Sequence, residues 1–86
     1  MARDDGKFEV AIIAEDGVVF EGRCEVLMVP GVKSPMAILA HHTPMIAKLG
    51  EGFVTVRNGR DTQTVASIET GVIQVGDNSA TVLLNL

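Results

Sequence analysis

Histidine, cysteine and carboxylate side chains are the groups of this 86-residue chain that could carry chemistry, and the adjacent pair His41-His42 is the first candidate. Neighbouring residues on a strand point to opposite faces, so the two rings could share a metal ion only in an irregular loop. A metal site also needs further ligands, and the eight residues on either side of the pair include no Asp, Glu or Cys. We therefore expect no metal site, and one packed and one exposed histidine.

The single cysteine, Cys24, cannot form an internal disulfide. A catalytic thiol needs a base and an orienting group beside it. Cys24 instead begins an apolar run that predicts a strand over residues 24–29, where a free cysteine is usually a small core residue. We therefore expect Cys24 to pack in the core.

The carboxylates stand singly at predicted strand ends and turns, with no spacing typical of paired acid–base catalysis. Glycines at Asp16-Gly17 and Gly50-Glu51-Gly52 mark turns, and neither has the strand-loop-helix setting of a phosphate loop. From residue types and spacing alone, the sequence predicts a small non-enzymatic domain without catalytic residues or a cofactor. A small metal-dependent barrel enzyme around His41 and His42 is the weaker alternative.

Composition excludes several classes of protein. The net charge of −4 and the lack of any Lys or Arg run argue against a nucleic-acid partner. A content of 47% hydrophobic and 21% charged residues excludes a disordered chain. No apolar run approaches the ~18 residues that span a bilayer, so we expect that the chain itself does not cross a membrane.

Turn signals recur about every 8–12 residues, and the runs between them alternate and are rich in β-branched residues, which is typical of a sandwich or barrel. The sequence predicts an all-β fold, a flattened two-sheet β-sandwich of about eight to ten short strands. Residues 1–7 are expected to be an N-terminal tail and residues 8–86 the domain. In the last strand the alternating residues share one face: Ala80, Val82, Leu84 and Leu86.

Two hairpins are expected in the second half of the chain. A two-residue turn at Asn58-Gly59 would set Arg57 opposite Arg60, a like-charge pair that is unfavourable. A three-residue loop that includes Arg57, with Gly59 in the left-handed region, avoids this pair and is favoured. The second hairpin is expected to turn through residues 76–79.

All three prolines and both histidines lie between Pro30 and Leu49. Each proline removes a backbone donor from a sheet, so this segment is expected to hold only short strands and loops. A long excursion of this kind on a compact sandwich is where we expect a surface function.

The order and spacing of several segments resemble the N-terminal β-sandwich domain of the epsilon subunit of F-type ATP synthases, over essentially all of residues 8–86. His42-Thr43-Pro44 stands at the place of the family's His-x-Pro. The other segments that carry the resemblance are Phe8–Ile13, Val19–Gly22, Ile38, Gly52–Arg57, Gly71–Val75 and Ala80–Leu84.

This resemblance implies a non-catalytic central-stalk subunit of the rotor, linking the gamma subunit to the membrane c-ring in ion-driven ATP synthesis. The implied location is the cytoplasmic face of the bacterial inner membrane. Ala14, His42 and Thr43 fall on the gamma-facing surface, with His42 preferred over His41 because the rings would diverge on a strand. The implied c-ring-facing loop is made of four residues, Val32, Lys33, Ser34 and Pro35.

The sequence departs from the family in two places. The family's ring-facing loop is usually acidic and glycine-rich, whereas residues 31–37 carry Lys33 as their only charge. The chain also stops where most epsilon subunits continue into two inhibitory C-terminal helices, so no such inhibition is expected from it. The alternative to a stalk subunit is a free-standing β-sandwich that binds a small ligand or peptide in a sizeable apolar pocket.

Overall fold

The computed structural model describes residues 5–85, which form nine strands in two sheets and no helix. The predicted two-sheet β-sandwich is thereby confirmed. The five-stranded sheet has the order β2-β1-β9-β8-β5, and the four-stranded sheet has the order β4-β3-β6-β7. The strands are β1 (Phe8–Ala14), β2 (Gly17–Cys24), β3 (Val26–Val29), β4 (Met36–Leu39), β5 (Met45–Leu49), β6 (Gly52–Asn58), β7 (Asp61–Ile68), β8 (Gly71–Gly76) and β9 (Ser79–Leu84).

The core lies between the two sheets and follows the alternation of the strands. In β1 the buried side chains are Phe8, Val10 and Ile12, as the alternating pattern predicts. β9 lies beside β1 in parallel, and its buried Ala80, Val82 and Leu84 continue the same layer. The predicted position of Leu86 on this face lies outside the described residues.

The β6–β7 hairpin turns one residue later than expected. Asn58 pairs with Asp61, so Gly59 and Arg60 are the turn residues, and the expected three-residue loop of residues 57–59 was wrong. Gly59 does adopt a positive φ of 61°. This register sets Arg57 opposite Thr62, so the like-charge pair of Arg57 and Arg60 does not form.

The β8–β9 hairpin is tighter than the expected turn over residues 76–79. Gly76 pairs with Ser79, which leaves Asp77 and Asn78 as the turn. Asn78 has a φ of 51°, a left-handed conformation that asparagine tolerates better than most residues. Both strands of the hairpin therefore extend one residue further than predicted.

The predicted strand over residues 24–29 is interrupted at Glu25. Cys24 ends β2 in the five-stranded sheet, and Val26 begins β3 in the four-stranded sheet, so the break lets the chain cross between sheets. The Glu25 amide donates to the Arg57 carbonyl at 3.1 Å, and the Glu25 carboxylate accepts a hydrogen bond from the Gly59 amide. These bonds fix the crossing against the β6–β7 turn.

The strand directions give the sandwich two ends with different loops. At the loop end lie Ala14, residues 31–35, Leu49 and Gly71, because β1 and β5 end there and β8 begins there. At the opposite, histidine end, β1 and β5 begin and β8 ends. This end carries residues 40–44 and the β8–β9 turn.

We predict that Gly71→Ala lowers the free energy of unfolding by about 2–3 kcal/mol, because overpacking a filled site forces shifts of that cost. A Cβ at Gly71 would meet the Leu83 carbonyl and come within 2.6 Å of the Ile68 Cδ1 atom. The matched control is Gly50→Ala, whose new Cβ would meet nothing closer than 3.8 Å. Urea denaturation measures both variants, and equal stability of the two would contradict the packing of Gly71.

Candidate functional site

His41 and His42 lie in the turn between β4 and β5, and not on a strand. His41 has a φ of 63°, so the expected strand-like conformation of residues 40–42 was wrong. The His42 Nδ1–H donates to the Thr43 carbonyl at 2.6 Å, which orients the half-buried ring and leaves Nε2 for a partner. His42 and Thr43 thus form one small unit at the histidine end.

Neither the histidines nor the cysteine has the surroundings of a catalytic or metal site. Within residues 5–85, no group of three or more His, Cys, Asp or Glu side chains could hold a metal ion. Cys24 is fully buried, and burial raises the pKa of its thiol to about 11. The Cys24 thiol therefore stays protonated at neutral pH, which agrees with the predicted core role.

Asn78 positions the histidine turn, a role that the sequence analysis missed. The Asn78 Oδ1 accepts a hydrogen bond from the His41 amide at 3.2 Å, and its Nδ2 donates to the Lys7 carbonyl at 3.2 Å. The Asn78 carbonyl also accepts a hydrogen bond from the Glu9 amide at 3.3 Å. The only signal in the sequence was the Asp77-Asn78 pair, which indicated a turn but not its partners.

The segment before β1 is held in place at the same end. The Arg23 Nη1 atom lies 2.9 Å from the Asp5 Oδ2 atom, and the Lys7 amide donates to Asp5 Oδ1 at 3.0 Å. The Lys7 amide and the Arg23 guanidinium hold the pKa of Asp5 below its usual value. Residues 5–7, expected to be part of a tail, are therefore tied to β2.

The residues expected to face one partner do not lie together. Ala14 ends β1 at the loop end, whereas His42 and Thr43 precede β5 at the histidine end. The two positions are separated along the strands by roughly the length of β1, about 20 Å at ~3.3 Å per residue. In the sheet order, β1 and β5 are also separated by β9 and β8. The outer face of the five-stranded sheet spans the distance between these two corners, but the Ala14 side chain itself packs against the core.

That outer face carries a mostly apolar row, which the sequence analysis also missed. The row crosses all five strands through paired residues: Lys48, Val72, Leu83, Ile13 and Val18. Val18 is 61% exposed, and Ile46 in the adjacent row is 72% exposed. The signal in the sequence was the presence of consecutive apolar residues, such as Ile12-Ile13 and Leu83-Leu84. A strand that is apolar on both faces is typical of a sheet that is covered on both faces.

The loop of residues 31–35 lies at the loop end and is pinned to the edge of β5. The Val32 amide donates to the Lys48 carbonyl at 3.2 Å, and Gly31 forms a bridge with Leu49. The side chain of Val32 is 64% exposed, and Lys33, Ser34 and Pro35 are exposed as well. The loop expected to face the c-ring is therefore an anchored and accessible surface.

The fold is that of a small all-β sandwich, and its described residues bring together no group of side chains that could hold a metal ion. Residues 7–85 match the family described as "ATP synthase, Delta/Epsilon chain, beta-sandwich domain". Since that match covers nearly the whole sequence, the chain belongs to the delta/epsilon family of ATP synthase subunits. Epsilon chains are structural or regulatory subunits and not catalytic ones, which confirms the expected non-enzymatic role.

Similar proteins agree with this assignment. The epsilon chain of Leptospira interrogans is 34% identical over 77 residues, which cover 90% of this chain and 60% of the relative. The epsilon chain of Caulobacter vibrioides is 32% identical over 77 residues, covering 90% of this chain and 88% of the relative. The chain thus spans about 60% of the length of the first relative and most of the second.

Two solved structures share the fold. A chain of the Euglena gracilis mitochondrial ATP synthase, in a structure containing OSCP, F1 and the c-ring, superposes with a TM-score of 0.83 at 15% identity. That match covers 96% of this chain and 53% of the other. A chain of the Tetrahymena thermophila central stalk and c-ring superposes with a TM-score of 0.70 at 13% identity, covering 88% and 61%. Residues 5–85 contain no helix that is long and apolar enough to cross a bilayer.

We predict that Asn78→Ala lowers the free energy of unfolding by more than Asn78→Gly does. Both variants lose the side-chain bonds to His41 and Lys7, each worth about 1 kcal/mol. Only alanine adds the strain of a positive φ, about 1 kcal/mol more. Chemical denaturation gives the ranking, and hydrogen exchange of the His41 amide should accelerate in both variants. Exchange at the parent rate would contradict the positioning role of Asn78.

Proposed function

We propose that this domain is a non-catalytic component of the central stalk of an F-type ATP synthase rotor, linking the gamma subunit to the c-ring. The proposed location is the cytoplasmic face of a bacterial inner membrane, reached only through the complex. Membership of the delta/epsilon family supports this role, as do bacterial relatives named epsilon chain. The observation that carries the proposal is the apolar row on the outer face of the five-stranded sheet, which a partner would cover. Towards the histidine end the same face becomes polar, with Gln74, Thr81 and Glu9.

The gamma subunit is the proposed partner of that face. Ile13, Leu83 and Val72 form the half-buried middle of the apolar row, and the exposed Val18 and Ile46 lie beside them. Burying such side chains against a second protein is favourable by about 25 cal/mol per Å² of apolar surface. A partner on this face would meet the Ala14 backbone at one corner, because the Ala14 side chain packs against the core, and His42 with Thr43 at the opposite corner. The face therefore reconciles contact residues that lie at opposite ends of the sandwich.

The c-ring is the proposed partner of the loop end, through Val32, Lys33, Ser34 and Pro35. Hydrogen bonds of Val32 and Gly50 to neighbouring backbone hold this loop on β5 and restrict its movement. A pinned loop loses little conformational freedom when it binds, which favours association. In rotation, the sandwich would act as a stiff spacer, because load applied at the loop end passes along continuous strands to the face held by gamma.

We predict that Ile46→Ser weakens binding to purified gamma about tenfold, because it removes an exposed apolar side chain from the proposed interface. The matched control is Phe53→Ser, since Phe53 is 66% exposed on the outer face of the four-stranded sheet. Calorimetric titration compares the two variants with the parent. Weaker binding for Phe53→Ser and not for Ile46→Ser would move the interface to the other sheet.

We predict that His42→Ala costs about 1–2 kcal/mol of gamma affinity while leaving the urea midpoint nearly unchanged. His41→Gly, which keeps the positive φ of residue 41, is the control and should bind gamma like the parent. If His42→Ala instead lowers stability and leaves affinity intact, His42 is a packing residue. Binding at parental strength by both variants, with parental stability, would remove His42 from the interface.

A further inference from the structure

Basic side chains are distributed unevenly between the two ends of the sandwich. The histidine end carries four of those described, Lys7, Arg23, Arg57 and Arg60. There Arg23 pairs with Asp5, and Arg57 donates to the Gly59 carbonyl. The two remaining described basic residues, Lys33 and Lys48, lie towards the loop end, and neither has an ion pair with a described acidic residue.

Lys33 and Lys48 line one cleft of about 170 Å³ between the loop and the edge of β5. The cleft walls are largely apolar, with contributions from Val32, Met36 and Ala47, and no carboxylate lines it. The hydrogen bond from the Val32 amide to the Lys48 carbonyl keeps the two lysine backbones together. The cleft thus combines two lysines with apolar walls, and no acidic residue in its lining neutralises the charge of the lysines.

We propose that this lysine cleft binds a single carboxylate carried by a loop of a protein partner at the loop end, and that Lys33 is the cation that pairs with it. This inference rests on the proposed function, in which that partner is the c-ring. A carboxylate on a short loop fits because it pairs with a lysine while its neighbouring apolar atoms contact Val32 and Met36. Complementary charge of this kind fixes partner choice and register more than it adds affinity.

An anionic lipid surface is disfavoured as the occupant by the other charges at the same end. Four acidic residues lie at the loop end, in the β1–β2 turn, the β5–β6 turn and the β7–β8 turn: Glu15, Asp16, Glu51 and Glu69. They outnumber the two lysines, so the end as a whole repels a negatively charged membrane. Two lysines would contribute only about 1 kcal/mol each to lipid binding. A single carboxylate that enters the cleft avoids this repulsion.

The test measures binding of the full chain to the c-ring and, separately, to gamma, both purified from the cells that produce it. At low salt, Lys33→Gln should weaken ring binding about 3-fold and Lys33→Glu at least tenfold, with gamma binding unchanged. Lys7→Gln at the histidine end is the control and should bind both as the parent does. In the assembled rotor, a carbodiimide should join Lys33 or Lys48 to a carboxylate of the ring.

Three outcomes would overturn the inference. Unchanged ring affinity in both Lys33→Glu and Lys48→Glu would leave the proposed stalk function intact but remove the charge contact. Binding of the parent to phosphatidylglycerol vesicles, lost in Lys33→Glu, would assign the cleft to lipid instead. A parent chain that binds gamma and not the ring would overturn both the inference and the ring-facing half of the proposed function.

Discussion

The parallel pairing of β1 with β9 at the centre of the five-stranded sheet is the constraint on which the rest of the structure depends. It joins the first and last of the nine described strands, so this sheet cannot close until both ends of the segment 8–84 come together. Contacts between residues so distant in sequence cost loop-closure entropy before they contribute stability. The buried side chains of the two strands, Phe8 to Ile12 and Ala80 to Leu84, supply the apolar contact that offsets this cost.

The same central pair explains why the five-stranded sheet carries apolar side chains on its outer face. Near the loop end, the central strands β1 and β9 are apolar on both faces, so covering the core leaves Ile13 and Leu83 on the outside. A sheet that is covered on one side only is expected to be polar on the other. The outer apolar row departs from this pattern, and a partner protein that binds the sheet would remove the row from water. Fold and proposed function therefore share one physical cause.

The sequence was sufficient for the fold class, because alternation and turn spacing are local signals. Phe8, Val10 and Ile12 could be assigned to the core from their spacing alone. The registers of the turns could not be predicted from local signals. In the β6–β7 hairpin, Asn58 pairs with Asp61, and the Gly59 amide in the turn donates to Glu25, which is 34 residues away in sequence. The break at Glu25 was missed for the same reason, because crossing between sheets is a tertiary requirement.

For the candidate site, the family resemblance predicted which residues contact a partner but not where these residues lie relative to one another. Ala14 and His42 appeared as members of one surface, and only the topology shows that they occupy opposite corners of a sheet. Asn78 was overlooked because its partners, His41 and Lys7, are remote in sequence.

The loop pinned to β5 has a consequence for solubility. An edge strand presents unpaired backbone groups that invite pairing with another chain. The Val32 amide and the Gly31 bridge occupy part of the β5 edge, and Pro35 and Pro44 immediately precede β4 and β5, two strands at sheet edges. Proline cannot donate to a sheet, so an added strand would lose hydrogen bonds at both places. The proline-rich excursion thus disfavours edge-to-edge aggregation of the sandwich.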